Sequence, residues 1–511
     1  MKNRLPLFRQ NRTGQETATD LYLITLLGIF PLFPGFQGYA NITFSKFLFF
    51  MTATGLWLAA LLALQLRQRA RFGRPTAAQW AALGFLAAVV LSWLCSPWRG
   101  QSLLAAGRYD GALTLAAYVL CFLGVSRFAV PKPCHAAALA VGTGLCCLVG
   151  LLQLLGLDLL RLFPGDLNYY DSGLRYSSAY LGTIGNTNIL DAVLALDLPI
   201  CAALWICGRG WAWLLPLLPC VPVLLRAGGS GVKLALTAAA LLGAPLLLTD
   251  LPRVRRALRL GALVCALAVP ALAFAPEYAD GLLRLGFVFS TPSLLCALGG
   301  AALLLVSWIP DGGRSPKPRT LRTFFAVLSG CALLGAVALV WFWPGQEGAV
   351  WELRQVLHGQ AEDSFGSSRL RIWRECLALV ARRPLLGGGP GTLGLRLDIQ
   401  FARSVAETGG TLRTYVDNAH NIYLAYLVNC GGLGLAGALA LYALSLRAAL
   451  RRGGIWGKAL ALGLAGALIH ACFGLGLCLS EPLCWAALGL AAAGADGNTR
   501  KESDDEKLEA V

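Results

Sequence analysis

The sequence predicts an all-α polytopic integral membrane protein with about 12–14 transmembrane helices and one long extracytoplasmic loop that carries a short amphipathic helix. The first observation is composition: 57% of the 511 residues are hydrophobic and 14% are charged, whereas soluble proteins have about 25% charged residues. The second is that many apolar runs approach the ~20 residues that cross a ~30 Å hydrocarbon core. The third is a single long polar segment, Pro344 to Asp417, between two such runs.

The apolar runs divide the chain into four parts. We expect an N-terminal bundle of about eleven spans at 1–343, the loop at 344–419, further spans at 420–496 and an acidic cytoplasmic tail at 497–511. Residues 1–20 are polar and basic, and the first run lacks an A-x-A cleavage site, so it is expected to be an uncleaved span. The runs lie near 21–35, 45–66, 78–95, 110–128, 135–156, 188–207, 210–226, 232–249, 260–275, 286–308, 323–343, 420–446, 457–476 and 480–495.

The distribution of positive charge predicts the orientation. With the N-terminus placed in the cytoplasm, 26 of the 43 lysines and arginines fall on inner segments and nine fall in the long loop. Positive residues favour the cytoplasmic side of short loops, so the termini are expected inside and the long loop outside. Because no ATP is available outside, a reaction there must use a substrate that is already activated.

The same distribution bears on partners and cofactors. The net charge of +16 is accounted for by topology, so no nucleic-acid partner is expected. The sixteen cysteines lie mostly inside apolar runs, where they behave as small hydrophobic residues, and none forms a CxxC pair. No Cys/His spacing is typical of a zinc site. We therefore predict no metal and no cofactor.

The middle of the loop predicts one helix and one tight turn. Leu370, Trp373, Leu377 and Val380 recur at helical spacing, with arginines beside them and a proline after the end. An amphipathic helix at the membrane surface is expected. The GGGPG turn that follows, Gly387–Gly391, lacks the Lys-Ser/Thr pair of a phosphate-binding P-loop.

His420 is the candidate general base, at the point where the loop meets the next span. Most lone histidines at a membrane interface only form hydrogen bonds, but an unperturbed pKa of ~6.5 makes histidine a ready proton acceptor. Asp417, three residues earlier, is placed to orient the ring. Asn418 and Asn421 flank the histidine, where polar side chains are costly unless they are used.

Arginines form the second candidate group. Arg369, Arg371 and Arg374 lie on or beside the expected helix, and Arg175 lies in another outer loop. Guanidinium groups bind phosphate in a planar, bidentate manner that lysine cannot match. Interfacial arginines also bind the headgroups of membrane lipids, which is the alternative for each of them. The loop contains eight acidic residues beside its nine arginines, so it is a mixed surface.

The third candidate is the polar stretch LRYSSAYLGTIGNTNILD, residues 174–191. It is either a helix cap, with Asn186 or Thr187 at the N-cap, or a wall of a binding site.

The series SSRLRIW, PLLGGGPG and AHNIYL, with GTIGNTN upstream, resembles the O-antigen ligase and O-antigen polymerase superfamily. The resemblance implies a metal-independent glycosyltransferase of surface polysaccharide biosynthesis in the cytoplasmic membrane of a bacterium. The donor would be a glycan on undecaprenyl diphosphate, and the acceptor a sugar hydroxyl on a glycan, a lipid-linked molecule or a protein.

The resemblance also assigns roles to residues of this chain. The family histidine falls on His420, its proposed base, and the arginine four residues before Trp373 falls on Arg369. The arginine before the G-N-x-N segment falls on Arg175; both arginines would hold the diphosphate. We group Arg371 with them, and we expect Asp417 to assist His420. Asn421, Asn186 and Trp373 are expected to support the site.

The chemistry of the residues is consistent with these roles. Diphosphate is a good leaving group once its charge is neutralised, and arginines can supply the positive charge. No outward-facing D-x-D pair is available to hold a divalent cation.

Two positions depart from the family pattern. Ser230 stands at or near a family arginine, with Arg226 or Lys233 as the possible substitute. Asn429 stands nine residues after the histidine, where the family often has glutamate.

A transporter or flippase of lipid-linked oligosaccharides is the alternative function. Such a protein needs no long outer loop, and charged residues would lie along its transport path. The spans here are nearly free of charge, with Asp191 and Asp197 as the main exceptions. The enzyme is favoured, and the choice between ligase and polymerase stays open.

Overall fold

The computed structural model describes residues 13–68, 74–105, 107–163, 181–279, 282–310, 316–405 and 410–494. Helices dominate these residues, which confirms the predicted all-α class. In the first half of the chain they are α1 Gly14–Ile24, a π-helical stretch Thr25–Ile29, α2 Phe30–Leu32, α3 Ile42–Gln68, α4 Ala77–Leu94, α5 Arg99–Leu104, α6 Ala112–Phe128, α7 Pro133–Leu154, α8 Thr187–Ile206, a 3-10 turn Trp211–Leu214, α9 Leu217–Ala227 and α10 Ser230–Leu247.

The remaining elements include two short hairpins that the sequence analysis did not predict. In chain order they are α11 Leu251–Ala273, β1 Phe274–Ala279, β2 Leu282–Phe287, α12 Thr291–Val306, α13 Pro318–Trp341, α14 Ala349–Leu357, α15 Phe365–Arg382, a 3-10 turn Leu393–Leu395, β3 Gln400–Val405, β4 Gly410–Tyr415, α16 Ile422–Arg452, α17 Gly454–His470 and α18 Glu481–Ala492. Both hairpins are antiparallel, with Phe274 opposite Phe287 and Gln400 opposite Tyr415.

Among the described residues, eight helices are long and apolar enough to cross a membrane: α3, α4, α7, α8, α10, α11, α13 and α16. Five shorter apolar helical segments accompany them: α6, the segment 211–227 that contains α9, α12, α17 and α18. The first span of the sequence analysis corresponds to the helical segment from Gly14 to Leu32, which begins earlier than predicted. A multi-pass membrane protein is therefore confirmed.

Helix α8 lies at the centre of the bundle and α13 at its edge. In α8, 83% of the most apolar window is buried, compared with 0% in α13. Helix α8 packs against α7, α10 and α17, whereas α13 contacts mainly α10 and the short helix α14. The long loop is thus carried on one side by a peripheral helix and on the other by α16.

Helix α16 is broken near its beginning, at Gly431. This residue has φ +71° and ψ −174°, a region that only glycine adopts readily. The two amides that follow the break leave the helical pattern: Gly432 N donates to Pro384 O (2.7 Å) and Leu433 N donates to Leu385 O (3.3 Å). The carbonyls of Pro384 and Leu385, just after α15, thus replace the acceptors that α16 itself would have supplied.

The carbonyls released by the break are bound by the glycine turn. Gly388 N donates to Val428 O (3.2 Å), and Gly389 N donates to Asn429 O (2.9 Å). Unpaired backbone groups cost several kcal/mol in hydrocarbon, so a break in a spanning helix needs this exchange. The turn that superficially resembles a phosphate loop therefore uses two of its amides to complete α16.

Side chains complete the junction between the glycine turn and α16. Arg396 donates from Nη1 to Val428 O (3.2 Å) and from Nη2 to the side-chain oxygen of Asn429 (2.6 Å). Asn429, the position where the family often has glutamate, thus accepts a hydrogen bond from a half-buried guanidinium. Three serine hydroxyls add bonds to the same backbone: Ser92 to Asn429 O, Ser96 to Gly388 O and Ser102 to Pro390 O.

We expect Gly431→Ala to destabilise the protein, because an added Cβ would overlap the Leu385 carbonyl and the backbone conformation is strained for alanine. The backbone strain alone costs on the order of 1–3 kcal/mol. The matched control is Gly432→Ala, whose Cβ would lie 3.3 Å from Pro384 O. Melting temperatures of the detergent-purified variants test this: Gly431→Ala should melt several degrees lower than the control. Equal melting temperatures would contradict the role of the break.

Candidate active site

The candidate site forms where α15 meets the segment that leads into α16. The indole Nε1 of Trp373 donates to Ala419 O at 2.9 Å, so α15 holds the backbone next to His420. A small core lies beneath this contact and joins the loop to α16: Ile372, Cys376, Leu393, Leu397, Ile399, Val416, Ala419 and Val428. The loop therefore packs as a unit with its own core.

The helix predicted around Leu370–Val380 is present as α15, and Trp373 and Val380 of the predicted apolar stripe pack against the small core. Ile372 and Cys376 are buried, whereas Leu377 is 55% exposed. Ile372 and Cys376, four residues apart, add a fully buried stripe beside the predicted one.

His420 is held in an unusual backbone conformation. Its φ is +50°, a left-handed value that is uncommon for residues other than glycine. The Asn418 side chain fixes it by accepting a hydrogen bond from His420 N at 2.9 Å. Asn421 is the N-cap of α16 and accepts from Leu424 N at 3.0 Å, so both flanking asparagines are used to shape the backbone around the histidine.

Arg369 lies near the beginning of α15. It directly follows three residues in the left-handed conformation, Gly366, Ser367 and Ser368. The side chain is partly buried, and burial lowers the pKa of the guanidinium below its usual value. Its charge acts on both His420 and His470, so a partly buried cation and two imidazoles share one region.

Burial and the neighbouring cations lower the pKa of His420 to about 4. Burial is the largest cause, and the positive charges of Arg369 and Arg108 act in the same direction. The negative charge of Asp417 opposes them by raising the pKa. The imidazole is consequently neutral at pH 7, the state in which one ring nitrogen carries no proton and can accept one.

Asp417 forms an ion pair that the sequence analysis missed. Both of its carboxylate oxygens accept from Arg108, from Nε at 2.7 Å and from Nη2 at 3.1 Å. Both side chains are partly exposed, so the pair is worth about 0–1 kcal/mol. Among the described residues Asp417 is thus paired with Arg108, and it acts on His420 through its charge. No motif pointed to Arg108, since it lies in a short connection distant in sequence.

His470 is the second residue that sequence reasoning missed. It lies at the end of an apolar run and is 3% exposed. The bond from Ile422 N to Ala471 O (2.9 Å) joins the end of α17 to the beginning of α16, which brings His470 close to His420 in the fold. His470, Ser480 and Glu481 line a cavity of about 20 Å³, which is room for one water molecule.

The other predicted residues have different surroundings. Arg371 is exposed, and Arg374 pairs with Asp363 at 2.6 Å. Asn186 is the N-cap of α8, where it accepts from Asn188 N at 2.9 Å, so the helix-cap alternative is confirmed for this residue. Arg175 lies outside the residues that the structure describes.

The two candidate substitutes for the family arginine near Ser230 lie around the beginning of α10. The Arg226 guanidinium stands 5.8 Å from the centre of the Phe274 ring. Lys233 is exposed, and its charge acts on Asp191. Asp191 in turn accepts from Gly229 N at 2.8 Å, so this buried carboxylate is used to hold the turn before α10.

The structure thus brings a neutral imidazole and a partly buried guanidinium into one region, at the end of a spanning helix. Residues 282–439 match the family model described as O-antigen ligase. This segment includes Arg369, Trp373, Asp417, His420 and Asn421, so the resemblance to the O-antigen ligase and O-antigen polymerase superfamily is confirmed. No curated protein matches the chain.

The match supports a glycan-transferring enzyme of surface polysaccharide biosynthesis. It also supports a lipid-linked glycan and an acceptor as its partners in general terms.

We expect the pKa of His420 to rise when Arg369 is replaced by glutamine, because a cation that opposes protonation is removed. The chain has four histidines, so histidine-labelled protein gives an NMR titration that can be assigned with single variants. Arg374→Gln, on the same helix, is the matched control and should leave the titration unchanged. Titration of His420 near 6.5 in the wild-type protein and in both variants would contradict the electrostatic coupling.

Proposed function

We propose that this protein transfers a glycan from an undecaprenyl-diphosphate donor to a sugar hydroxyl of the acceptor, as an O-antigen ligase or polymerase does. The observation that carries the proposal is the bond from Trp373 to Ala419 O, which holds the helix of Arg369 against the backbone next to His420. The charge of the arginine acts on the imidazole. The reaction needs a cation for the leaving diphosphate and a base for the hydroxyl.

In the proposed step, His420 takes the proton of the acceptor hydroxyl as its oxygen attacks the anomeric carbon of the donor glycan. The bond between that carbon and the diphosphate oxygen breaks, and undecaprenyl diphosphate leaves with the electron pair. Arg369 neutralises the developing negative charge. Arg371 and Arg175 are proposed to bind further oxygens of the diphosphate, so that no metal ion is required.

Donor binding is proposed to strengthen the base. The positive charge of Arg369 lowers the pKa of His420 in the free protein. A diphosphate bound to Arg369 would offset that charge and raise the pKa again. His420 would then become a better proton acceptor only when the donor is present, which limits unproductive protonation of the site.

Four residues are proposed to support this chemistry without touching the substrate. Trp373 binds the Ala419 carbonyl, and Asn421 caps α16, so both hold the segment that carries His420. The negative charge of Asp417 partly offsets the positive charges of Arg369 and Arg108, which raises the pKa of His420. Asn186 is proposed to shape the beginning of α8.

We propose that the site faces the outside of the bacterial cytoplasmic membrane, with both termini in the cytoplasm. The excess of lysine and arginine on the opposite loops supports this orientation. Gln360→Cys and Lys317→Cys, on either side of α13, distinguish the two orientations in a cysteine-free background. A membrane-impermeant thiol reagent should label only Gln360→Cys in cells whose outer membrane is permeabilised, and labelling of Lys317→Cys alone would reverse the assignment.

We expect His420→Gln to lose about 10²–10⁴-fold in transfer rate, because glutamine can form hydrogen bonds but cannot take the proton. The assay uses protein in lipid nanodiscs, a synthetic undecaprenyl-diphosphate glycan and its acceptor. His358→Gln, an exposed histidine of the same loop, is the matched control and should retain wild-type activity. Turnover by His420→Gln at the wild-type rate would exclude His420 as the base.

A further inference from the structure

The short helix α14 contacts the turn that precedes Arg369. The Glu352 carboxylate accepts a hydrogen bond from Gly366 N at 2.8 Å. One residue earlier, the Trp351 ring packs edge-on against Phe365, with ring centres 5.2 Å apart, and Phe365 is buried. Two successive side chains of α14 therefore bind two successive residues of the segment that leads into α15.

The turn held by these contacts is strained. Gly366, Ser367 and Ser368 have φ values of 60°, 59° and 64°, and the two serines have no glycine-like freedom to adopt them. A non-glycine residue in such a conformation costs on the order of 1–3 kcal/mol and persists only where its surroundings fix it. Glu352 supplies part of that restraint, through a hydrogen bond strengthened by its negative charge.

Arg369 comes directly after this turn, so the turn sets the direction in which its side chain leaves the backbone. The guanidinium is partly buried, and its charge acts on both His420 and His470, so a small displacement changes its distance to both imidazoles. The Glu352 carboxylate itself is bound to a backbone amide, so its contribution to the site is made through the conformation of residues 366–368.

We propose that Glu352 is a positioning residue of the donor site: it holds the left-handed turn that directs Arg369 toward the diphosphate. This inference rests on the proposed function and adds α14 to the machinery of the site. A carboxylate or an amide oxygen at this reach can accept the bond from Gly366 N. A shorter side chain cannot.

The experiment compares donor and acceptor kinetics of Glu352→Ala, Glu352→Asp and Glu352→Gln in nanodiscs with the synthetic donor. Misplacing a binding group by about 1 Å can cost on the order of 10²-fold, so Glu352→Ala should lose about 10- to 100-fold in kcat/KM for the donor, with the KM for the acceptor unchanged. Glu352→Asp keeps the charge but loses reach and should be impaired. Glu352→Gln should be close to wild type. Glu347→Ala, an exposed glutamate just before α14, is the control.

The sharper test is a double-mutant cycle with Arg369→Lys, which keeps the positive charge at this position. If Glu352 acts through Arg369, adding Glu352→Ala to Arg369→Lys should cost much less than it costs the wild type. Additive losses, or a wild-type donor kcat/KM in both Glu352→Ala and Glu352→Asp, would overturn the inference and leave the proposed function standing. Wild-type protein that neither binds nor turns over the donor would overturn the proposed function and this inference together.

Discussion

The structure depends on one constraint, which is that a helix broken inside a membrane must find partners for the backbone groups that the break releases. In α16 these partners come from the long loop. The carbonyls of Pro384 and Leu385 accept hydrogen bonds from the two released amides. The amides of Gly388 and Gly389 donate hydrogen bonds to the two released carbonyls. The loop is thereby joined to the membrane-spanning bundle at a fixed register. The bond from Trp373 to the Ala419 carbonyl then holds α15 against the backbone next to His420.

The electrostatics of the site follow from this placement. Burial and two arginines keep the imidazole of His420 neutral at physiological pH, since its pKa is lowered to about 4. In the proposed mechanism this imidazole is a weak base while the positive charges of the arginines are not offset. We propose that the anionic donor offsets them when it binds. Donor binding would then strengthen the base through Arg369, without any change of fold.

The sequence was sufficient for the features that depend on local pattern. Long apolar runs predict the spans, helical spacing predicts α15, and the residues around His420 and Arg369 are recognisable as motifs. The spans, α15 and these motifs each depend on residues that are neighbours in the chain, so hydrophobic periodicity and composition are sufficient to predict them. The Asp280–Gly281 pair between β1 and β2 is also a hairpin signal, and it would have predicted the first hairpin that the sequence analysis missed.

The features that escaped prediction are contacts between residues distant in the chain. Arg108 pairs with Asp417 across 309 positions, and nothing near either residue indicates the partner. His470 sits in an apolar run that gives no reason to single it out. The role of the GGGPG turn in completing α16 depends on the break at Gly431, because only that break releases carbonyls for the turn to bind. Such pairings are set by packing, which a single sequence does not display.

The most direct measurement of the central claim is a cryo-electron microscopy structure of the protein in nanodiscs with a non-hydrolysable undecaprenyl-diphosphate glycan. We predict density for the diphosphate against the Arg369 guanidinium, with the anomeric carbon of the first sugar facing His420. Density for the diphosphate elsewhere in the bundle, with Arg369 and His420 unchanged and remote from it, would contradict the account.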